Sequence, residues 1–326
     1  MLPDLNDLLE TARVVSLPLV TRFRGIDTRE ALLCEGPQGW TEFSPFIEYA
    51  DAEAAAWLGA AIEFGWQPTP PLERHRVQVN ATVPAVEPGA VAGVLARFSG
   101  CRTAKVKVAS LGQTLADDVA RVREVRSILG PEGRIRIDAN GLWNLDEAEH
   151  AIHALAEFDL EYVEQPCANI DEMAEIRRRT HYLTVPIAAD ESVRRSDDPL
   201  AVARAEAADI LVLKAQPQGG IRAALSIRAQ TGLPVVVSSA LDTSVGIAMG
   251  AFLAGALPEL EFDCGLGTAS LLAADVTTDP MIAVGGSIPV RRVVPDAALL
   301  DRHAASAERR DWWLERLARV YEVVAG

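Results

Sequence analysis

Short apolar runs recur through the middle of the chain, and each of them ends in a polar or charged residue. The residues that end these runs are Lys107, Asp138, Glu164, Asp190, Lys214, Ser238 and Asp263, which follow one another at intervals of 24 to 31 residues. Between the runs lie longer segments whose apolar residues recur with helical spacing, for example 115–129, 146–158 and 221–231. The pattern predicts a repeat of one strand and one helix.

A chain that alternates strand and helix in this way builds a parallel sheet. Runs at 77–80 and 103–108 begin the series, and a run at 261–264 ends it, so the chain offers eight strands. Eight such strands favour an α/β fold of the TIM-barrel type, whose chemistry lies at the carboxyl ends of the strands. Only a short apolar stretch follows the last strand. We therefore expect a modified (β/α)7β barrel over residues 76–284.

Two further regions flank the predicted barrel. Residues 1–75 contain a predicted strand at 31–35 and an alanine-rich helix at 51–64, which indicates a small α+β domain. A proline cluster, Pro68, Pro70 and Pro71, forms the predicted linker into the barrel. Residues 285–326 carry one more helical pattern at 304–323. We expect this tail to pack back on the N-terminal domain and complete it.

Composition narrows the class of protein. Apolar and charged contents of 49% and 24% are ordinary globular values, and a net charge of −15 disfavours nucleic acid as a partner. The four cysteines form no closely spaced pair, and the N-terminus lacks the features of a signal peptide, so we expect a cytoplasmic protein. The most apolar stretch, 245–257, is too short to cross a membrane. Its Gly246 and Gly250 are predicted helix-packing positions.

Three carboxylates stand at successive predicted strand ends. Asp138, Glu164 and Asp190 would converge on one point, where they would repel one another without a cation between them. Oxygen ligands without histidine or cysteine suit an octahedral Mg²⁺, with Mn²⁺ as the alternative. Each carboxylate alone could cap the helix that follows its strand, and this alternative is strongest for Asp190, which precedes Glu191-Ser192. The prediction of a metal site therefore depends on the three together.

Lysines flank these carboxylates on two sides. Lys105 and Lys107 lie two residues apart on one strand, so their side chains share a face, and Lys214 ends a strand four positions further round the barrel. A metal between opposed lysines suits carbanion chemistry, in which a lysine removes the proton next to a metal-bound carboxylate. The base needs a pKa below the usual ~10.4 of lysine. Lys105 and the metal would lower the pKa of Lys107.

Five motifs in order resemble those of the enolase superfamily, in its muconate-lactonizing subgroup. They are Lys105-x-Lys107, Asp138-x-Asn140, Val163-Glu164-Gln165-Pro166, Asp190-Glu191-Ser192 and Lys214. The resemblance spans roughly the whole chain and implies the modified barrel, the three metal ligands and a lysine base. It also implies an N-terminal capping domain. Residues 1–75 are fewer than that domain usually has, which leaves the enclosure of the distal end of the substrate to be explained.

Loop sequences resemble one family of this subgroup, the actinobacterial o-succinylbenzoate synthases. They are Arg22-Phe23-Arg24-Gly25, Gly39-Trp40-Thr41-Glu42-Phe43-Ser44-Pro45-Phe46, Ser238-Ser239-Ala240-Leu241 and Cys264-Gly265-Leu266-Gly267-Thr268-Ala269. This resemblance implies a magnesium-dependent lyase of menaquinone biosynthesis. Its substrate would be a small anionic carboxylate, 2-succinyl-6-hydroxy-2,4-cyclohexadiene-1-carboxylate, which it would dehydrate to o-succinylbenzoate.

The resemblance also implies roles for individual residues. Lys107 would remove the proton and then, as the ammonium form, help hydroxide to leave from the same face. Lys214 would stabilise the enediolate from the other face, by charge and by cation–π contact. Lys105 would orient the carboxylate of the substrate. The candidates for supporting the metal or contacting the substrate are Asn140, Glu191, Arg136, Ser238, Ser239 and Arg24.

Other functions stay open at this point. Racemisation of an N-acylamino acid or epimerisation of a dipeptide would use both lysines as bases, although Asp263-Cys264-Gly265 lacks the Asp-x-Asp of many dipeptide epimerases. A Schiff-base aldolase would use Lys107 or Lys214 as nucleophile and would not need three carboxylates. A barrel that only binds ligands would have lost a metal ligand or a base, and none is missing. No oligomeric state is predicted.

Overall fold

The computed structural model describes residues 2–194 and 198–326. The strands of these ranges are β1 (Arg13–Phe23), β2 (Ile26–Gly36), β3 (Gly39–Phe43), β4 (Arg76–Gln78), β5 (Ala81–Val83), β6 (Thr103–Lys107), β7 (Arg134–Asp138), β8 (Leu160–Glu164), β9 (Ile187–Ala189), β10 (Ile210–Leu213), β11 (Val235–Val237) and β12 (Ser287–Pro289). The helices are α1 (Leu5–Glu10), α2 (Asp51–Trp66), α3 (Val91–Leu95), α4 (Leu115–Leu129), α5 (Leu145–Leu155), α6 (Ile170–Thr180), α7 (Glu191–Arg194), α8 (Ala201–Arg204), α9 (Ile221–Thr231), α10 (Ser244–Ala256), α11 (Ala297–Arg302) and α12 (Ala307–Ala325).

A seven-stranded parallel sheet dominates the molecule, and its strands β5 to β11 lie side by side in chain order. Two single parallel bridges join the edges of this sheet through one short segment. Cys264 pairs with Val79, and Gly265 pairs with Ser238. The sheet therefore curls into the predicted modified barrel, and the eighth strand, predicted over 261–264, is reduced to these two bridges.

The first barrel strand differs from the prediction. It was expected at 77–80, but β4 pairs antiparallel with β12, and β5, which begins at Ala81, is the strand that pairs in parallel with β6. Val77, Val79, Ala81 and Val83 are all buried in the core. Because this alternation continues without interruption through both strands, the apolar pattern does not reveal where the chain changes partner.

The helices that cover the sheet begin and end at capping residues of ordinary chemistry. At the start of α4 the Thr114 side chain accepts from the Asp117 amide, and the Asp117 carboxylate accepts from the Thr114 amide. Gly130 ends the helix at φ 71°, a backbone angle that suits glycine. The predictions for α4 and α9 are confirmed, while α5 ends three residues early and continues as a 3₁₀ turn through Phe158.

The most apolar helix, α10, is almost wholly buried against the barrel. A Cβ atom on Gly246 would lie 2.8 Å from Cδ of Glu42, and one on Gly250 would lie 2.6 Å from Cδ2 of Leu266. Both glycines are therefore close packing positions, as predicted. None of the described helices is both long and apolar enough to cross a membrane.

The N-terminal part of the chain forms a separate domain, which we call the capping domain (residues 2–75). Its antiparallel sheet has the order β1-β2-β3, and α2 packs on this sheet. The C-terminal helix α12 packs on α2, with Trp313 fully buried and its indole N–H donating to Glu30 at 2.8 Å. The tail thus completes the capping domain, as predicted. The boundaries at 75 and 284 stay predictions.

Two buried charged residues join the capping domain to the barrel. Glu42 on β3 accepts hydrogen bonds from the Thr243 hydroxyl at 2.6 Å and the Gly246 amide at 3.0 Å, at the start of α10. Arg29 on β2 donates from Nε to the carbonyl of Leu241 at 3.0 Å. The two side chains therefore hold the loop that follows β11.

Candidate active site

Each charged side chain predicted to do chemistry stands at the carboxyl end of a barrel strand. The last residues of β6, β7 and β8 are Lys107, Asp138 and Glu164, and the residues directly after β9 and β10 are Asp190 and Lys214. Lys105 lies two residues earlier on β6, and Val106 between the two lysines packs in the outer core. The structure therefore brings all six predicted residues together inside the barrel mouth.

Lys105 lies between two carboxylates on neighbouring strands. Its Nζ donates to both oxygens of Glu164, at 2.7 and 2.9 Å, and lies 3.2 Å from Oδ2 of Asp138. Burial acts against the charge of this amine. Glu164 and Asp138 outweigh burial and raise the pKa of Lys105 well above its usual value. Lys105 is therefore a fixed positive charge.

The other two lysines each have one carboxylate partner. Nζ of Lys107 lies 2.5 Å from Oδ2 of Asp138 and donates to Oδ1 of Asn140 at 2.7 Å. Nζ of Lys214 lies 2.5 Å from Oδ2 of Asp190. Each of the three carboxylates is thus paired with an ammonium group.

Burial and mutual repulsion oppose this pairing. Burial, together with the charge of Asp138, raises the pKa of Glu164 to about 7. Burial also acts to raise the pKa of Asp138, but Lys107 and Lys105 outweigh it and hold that pKa well below its usual range. Burial lowers the pKa of Lys107 despite the attraction of Asp138, and the charge of Lys105 adds to the lowering. The cluster therefore combines a carboxylate that needs a further cation with an amine that loses its proton more readily than usual.

The donor set fits a divalent cation. Asp138, Glu164 and Asp190 offer buried carboxylate oxygens from three adjacent strands, which is the ligand chemistry that Mg²⁺ and related ions prefer. Lys105 Nζ already acts as a cation between two of them. As the lysines are placed, no three histidine, cysteine, aspartate or glutamate side chains in the described part of the chain are arranged to hold a metal ion. A metal would therefore take the place of the ammonium groups as the partner of the carboxylates.

Asn140 and Glu191 connect the neighbouring strand ends. The side-chain amide nitrogen of Asn140 donates to Oε1 of Glu191 at 3.1 Å. The backbone N–H of Asn140 donates to Oδ1 of Asp138 at 3.0 Å. Oε2 of Glu191 is buried and has no hydrogen-bond partner among residues 2–194 and 198–326. An unpaired buried acceptor beside the cluster is a further sign that the site takes a cation or a donor.

The cluster opens into a small cavity between the barrel and the capping domain. The barrel supplies Thr82, Lys105, Lys107, Asp138, Asn140, Glu191, Arg194, Lys214, Ser238, Ser239, Ala240, Leu241, Gly265 and Thr268, and the capping domain supplies Phe23, Arg24 and Phe46. The predicted substrate-contacting residues Ser238, Ser239 and Arg24 therefore all line the cavity. Their contact with substrate stays a prediction.

Arg136 also points into the barrel, as its strand parity predicts, but it does not line the cavity. Its guanidinium is fully buried, pairs with Glu161 and donates to the Asp263 carbonyl at 2.6 Å. It also stacks on Tyr162, 4.8 Å from the ring centre. Arg136 therefore fills the barrel interior below the carboxylates.

Several cavity residues were not singled out from the sequence. Arg194, Thr82, Thr268 and Leu241 lie on the barrel side, and Phe46 lies on the capping side. Phe46, Leu241 and Thr268 belong to loop motifs that carry the family resemblance, which was the available signal. No signal in the sequence pointed to Arg194. It lies after the metal-ligand motif at 190–192, and the direction of its side chain depends on α7.

Comparison with known proteins places this fold in one class. The family model described as enolase C-terminal domain-like matches residues 90–297, and the model described as enolase N-terminal domain-like matches residues 14–65. The muconate lactonizing enzyme from Pseudomonas putida is 20% identical, with a TM-score of 0.72 over 90% of this chain and 98% of that chain. The 2-chloromuconate cycloisomerase from Rhodococcus opacus is 23% identical, with a TM-score of 0.73 over 91% and 98%. The chain belongs to the enolase superfamily, whose members depend on a divalent metal.

Sequence relatives define the family within this class. The o-succinylbenzoate synthase of Mycobacterium tuberculosis is 54% identical over 325 residues, which is 99% of this chain and 98% of the relative. That of Mycobacterium marinum is 53% identical over 321 residues, 98% of this chain and 96% of the relative. The family within the superfamily is therefore that of the o-succinylbenzoate synthases, and the resemblance inferred from the motifs is confirmed.

Proposed function

We propose that this protein dehydrates 2-succinyl-6-hydroxy-2,4-cyclohexadiene-1-carboxylate to o-succinylbenzoate, a lyase reaction of menaquinone biosynthesis. One observation carries the proposal beyond the names of its relatives. At the carboxyl ends of the five consecutive strands β6 to β10, as the last residue or the residue directly after it, stands the series lysine, carboxylate, carboxylate, carboxylate, lysine. This series sets an amine on each side of a buried anionic centre, which is the arrangement that proton removal next to a carboxylate requires.

Lys107 is the proposed base and acid of the reaction. Its neutral amine takes the proton from the carbon that bears the carboxylate, and the electron pair of that C–H bond moves towards the carboxylate as an enediolate. The bond from the neighbouring carbon to its hydroxyl then breaks. The ammonium form of Lys107 returns the proton to this oxygen, which leaves as water from the same face. Formation of the aromatic ring drives the step.

Lys214 and Lys105 act through their positive charge and transfer no proton. Lys214 stands across the cavity from Lys107, since three strands of the barrel, β7, β8 and β9, lie between β6 and β10. Its ammonium group stabilises the ring as negative charge develops on it, by electrostatic and cation–π attraction. Lys105, whose pKa is raised by Glu164 and Asp138, orients the substrate carboxylate as a permanent cation.

The proposed metal is Mg²⁺, held by Asp138, Glu164 and Asp190 with Asn140 and Glu191 beside them. When bound, it supplies positive charge to the substrate carboxylate and to the second negative charge of the enediolate. The three carboxylates would hold it in place of their lysine partners. This exchange of partners would leave Lys107 and Lys214 free to face the substrate.

The other end of the substrate lies towards the capping domain. Arg24 reaches the cavity from the turn between β1 and β2, with its guanidinium 4.1 Å from the ring centre of Phe46. It is the proposed partner of the succinyl carboxylate. Ser238 and Ser239 line the far wall and are proposed substrate contacts. The four cysteines are free, which fits the proposed location in the reducing cytoplasm.

A spectrophotometric dehydration assay tests the proposal. Aromatisation changes the ultraviolet absorbance, so turnover is followed directly, first with Mg²⁺ and then with excess chelator. We expect fast turnover that chelator abolishes and Mg²⁺ restores. If no turnover occurs although the metal binds, the proposal of a dehydration activity is wrong. Incubation of N-acylamino acids and dipeptides in deuterated water would then reveal whether the lysines exchange an α-proton instead.

A further inference from the structure

Arg194 is a buried cation that touches the metal-site residues without belonging to any of the motifs. It is the last residue of α7, one turn after Asp190, and its side chain is 3% exposed. Nε lies 3.1 Å from Oδ1 of Asp190, and Nη2 lies 2.8 Å from Oε1 of Glu191. Helical spacing, i, i+3 to Glu191 within α7 and i, i+4 to Asp190 directly before it, brings these groups together.

Every nitrogen of this guanidinium has a protein partner. The third, Nη1, donates to the hydroxyl of Tyr49 at 3.0 Å. Although Arg194 lines the cavity, its three nitrogens point to Asp190, Glu191 and Tyr49. A planar guanidinium group whose three nitrogens are all hydrogen-bonded has a fixed orientation. Arg194 is therefore placed to position other groups and not to bind the substrate.

The contact with Tyr49 crosses from the barrel to the capping domain. Tyr49 packs edge-on against Phe46, at 5.6 Å between ring centres, and against Trp57, at 6.2 Å. Its carbonyl accepts from Arg316 of α12 at 2.7 Å. The tyrosine is thus held by the core of the capping domain. Its hydroxyl provides a rigid support from which Arg194 reaches the metal-site strand.

The two oxygens of Asp190 have different partners. Oδ1 accepts from Arg194, whereas Oδ2 accepts from Lys214. If Lys214 turns to the substrate, as the proposed function requires, Oδ2 becomes available and Oδ1 stays with the guanidinium. Arg194 would then keep the carboxylate in one orientation, with one oxygen facing the cluster.

We propose that Arg194 is a positioning residue that orients Asp190 and Glu191 for the divalent cation and anchors both to the capping domain through Tyr49. The inference rests on the proposed function for its metal, but the contacts that carry it are those of this chain alone. It implies that the capping domain contributes to metal affinity as well as to the wall of the cavity.

Direct metal binding tests this role without substrate. Electron paramagnetic resonance of free Mn²⁺ gives the dissociation constant of the intact protein. We expect Arg194→Met to raise this constant by about 10- to 100-fold, the usual effect of losing a partner that orients a metal ligand. Loss of a nearby positive charge would by itself tighten Mn²⁺ binding. An unchanged or lower dissociation constant would therefore overturn the proposal.

Two smaller substitutions keep the test valid if Arg194→Met does not fold. Arg194→Lys keeps the charge but cannot reach three partners, so we expect an intermediate loss of affinity. Tyr49→Phe removes the hydroxyl that accepts from Arg194 at 3.0 Å and from Arg24 at 3.4 Å, and we expect a loss of metal affinity of about 2- to 10-fold. Adding Tyr49→Phe to Arg194→Met should cause no further loss, because Tyr49 is proposed to act on the metal site through its contact with Arg194. Fully additive effects would refute the anchoring through Tyr49.

Matched controls distinguish the loss of a positioning residue from other causes of weak metal binding or low turnover. Arg178→Met removes an arginine whose side chain is 72% exposed on α6 and should leave Mn²⁺ affinity unchanged. Turnover of Arg194→Met should recover to within about tenfold of the wild type at saturating metal. If the wild type binds Mn²⁺ but does not dehydrate the substrate, the proposed function fails while the role of Arg194 is still measured. If the wild type is active and Arg194→Met binds Mn²⁺ normally, only the positioning role fails.

Discussion

The chain contains only three lysines among its 31 basic residues, and all three line the active-site cavity. Elsewhere arginine carries the positive charge, even in a buried ion pair such as Arg121 with Asp118. Arginine keeps its proton in proteins, whereas the pKa of lysine shifts readily on burial. Lysine is therefore confined to the place where a proton is proposed to move. This distribution is a second sequence signal for the roles of Lys107 and Lys214, independent of their strand positions.

Removal of either amine tests these roles. We expect Lys107→Ala to lower turnover by about 10²- to 10⁴-fold, because it removes the group that both takes and returns the proton. We expect Lys214→Ala to lower turnover by about 10²- to 10³-fold, since it removes electrostatic stabilisation of the enediolate. Steady-state rates at saturating metal and substrate measure both losses.

Circular dichroism and Mn²⁺ binding provide the controls for these two variants. Both should fold, and both should still bind the metal, because the three carboxylates remain. Arg178→Ala, on the exposed face of α6, should behave as the wild type. Turnover of either lysine variant above about a tenth of the wild-type rate would refute the role assigned to that lysine.

The site residues that could be predicted from the sequence are those fixed by strand position. Alternation places Lys105 and Lys107 on one face, and the repeat of strand and helix places the carboxylates at neighbouring strand ends. Arg194 could not be predicted, because its partner Tyr49 lies 145 residues away along the chain and in another domain. A contact of that kind depends on how two domains pack, which no local pattern records.

At the scale of elements, the contact between β3 and α10 contains a buried carboxyl group, that of Glu42, whose ionisation is unfavourable. Burial, together with the neighbouring Asp242, raises the pKa of Glu42 to about 7. The folded protein therefore resists ionisation of Glu42, whereas the unfolded chain ionises near the usual carboxyl range. The contribution of Glu42 to stability consequently falls as the pH rises from about 4.5 to about 7, and changes little above that.

Glu42→Gln should remove this pH dependence. Glutamine has the same shape and can still accept at α10, so the variant should gain stability relative to the wild type between pH 5 and pH 8, by on the order of 1–3 kcal/mol. Urea unfolding at both pH values measures the difference. Glu35→Gln, at an exposed position of β2, is the control and should show no such trend. A Glu42→Gln difference that is the same at both pH values would contradict the raised pKa.

The elements with a strong local signal were predicted well. Helices α4 and α9 have both helical spacing and clear capping residues, and their bounds agree with the structure. The strands β1 and β3 carry no such distinctive pattern, and they were not predicted. The change of partner between β4 and β5 was missed because the strand period continues through it. Local pattern fixes the type of an element, whereas its partner depends on the whole fold.

At the scale of the molecule, the cavity reverses the charge of the protein. The chain carries −15 overall, yet the side chains that line one cavity between the two domains include its three lysines and the arginines at 24 and 194, against two carboxylates, Asp138 and Glu191. An anionic substrate is therefore attracted locally although the molecule as a whole repels it. The capping domain supplies Phe23, Arg24 and Phe46 to this cavity. The wall of the cavity is thus shared between the domains despite the short N-terminal region.

A crystal structure with Mg²⁺ and o-succinylbenzoate would test most directly the exchange of partners at the centre of the proposed function. We expect one metal ion bound within about 2.1 Å of an oxygen from each of Asp138, Glu164 and Asp190. The amines of Lys107 and Lys214 should then lie on opposite faces of the product ring, away from their present carboxylate partners. A structure in which the lysines keep those partners, with the metal or the product bound elsewhere, would contradict the proposed function.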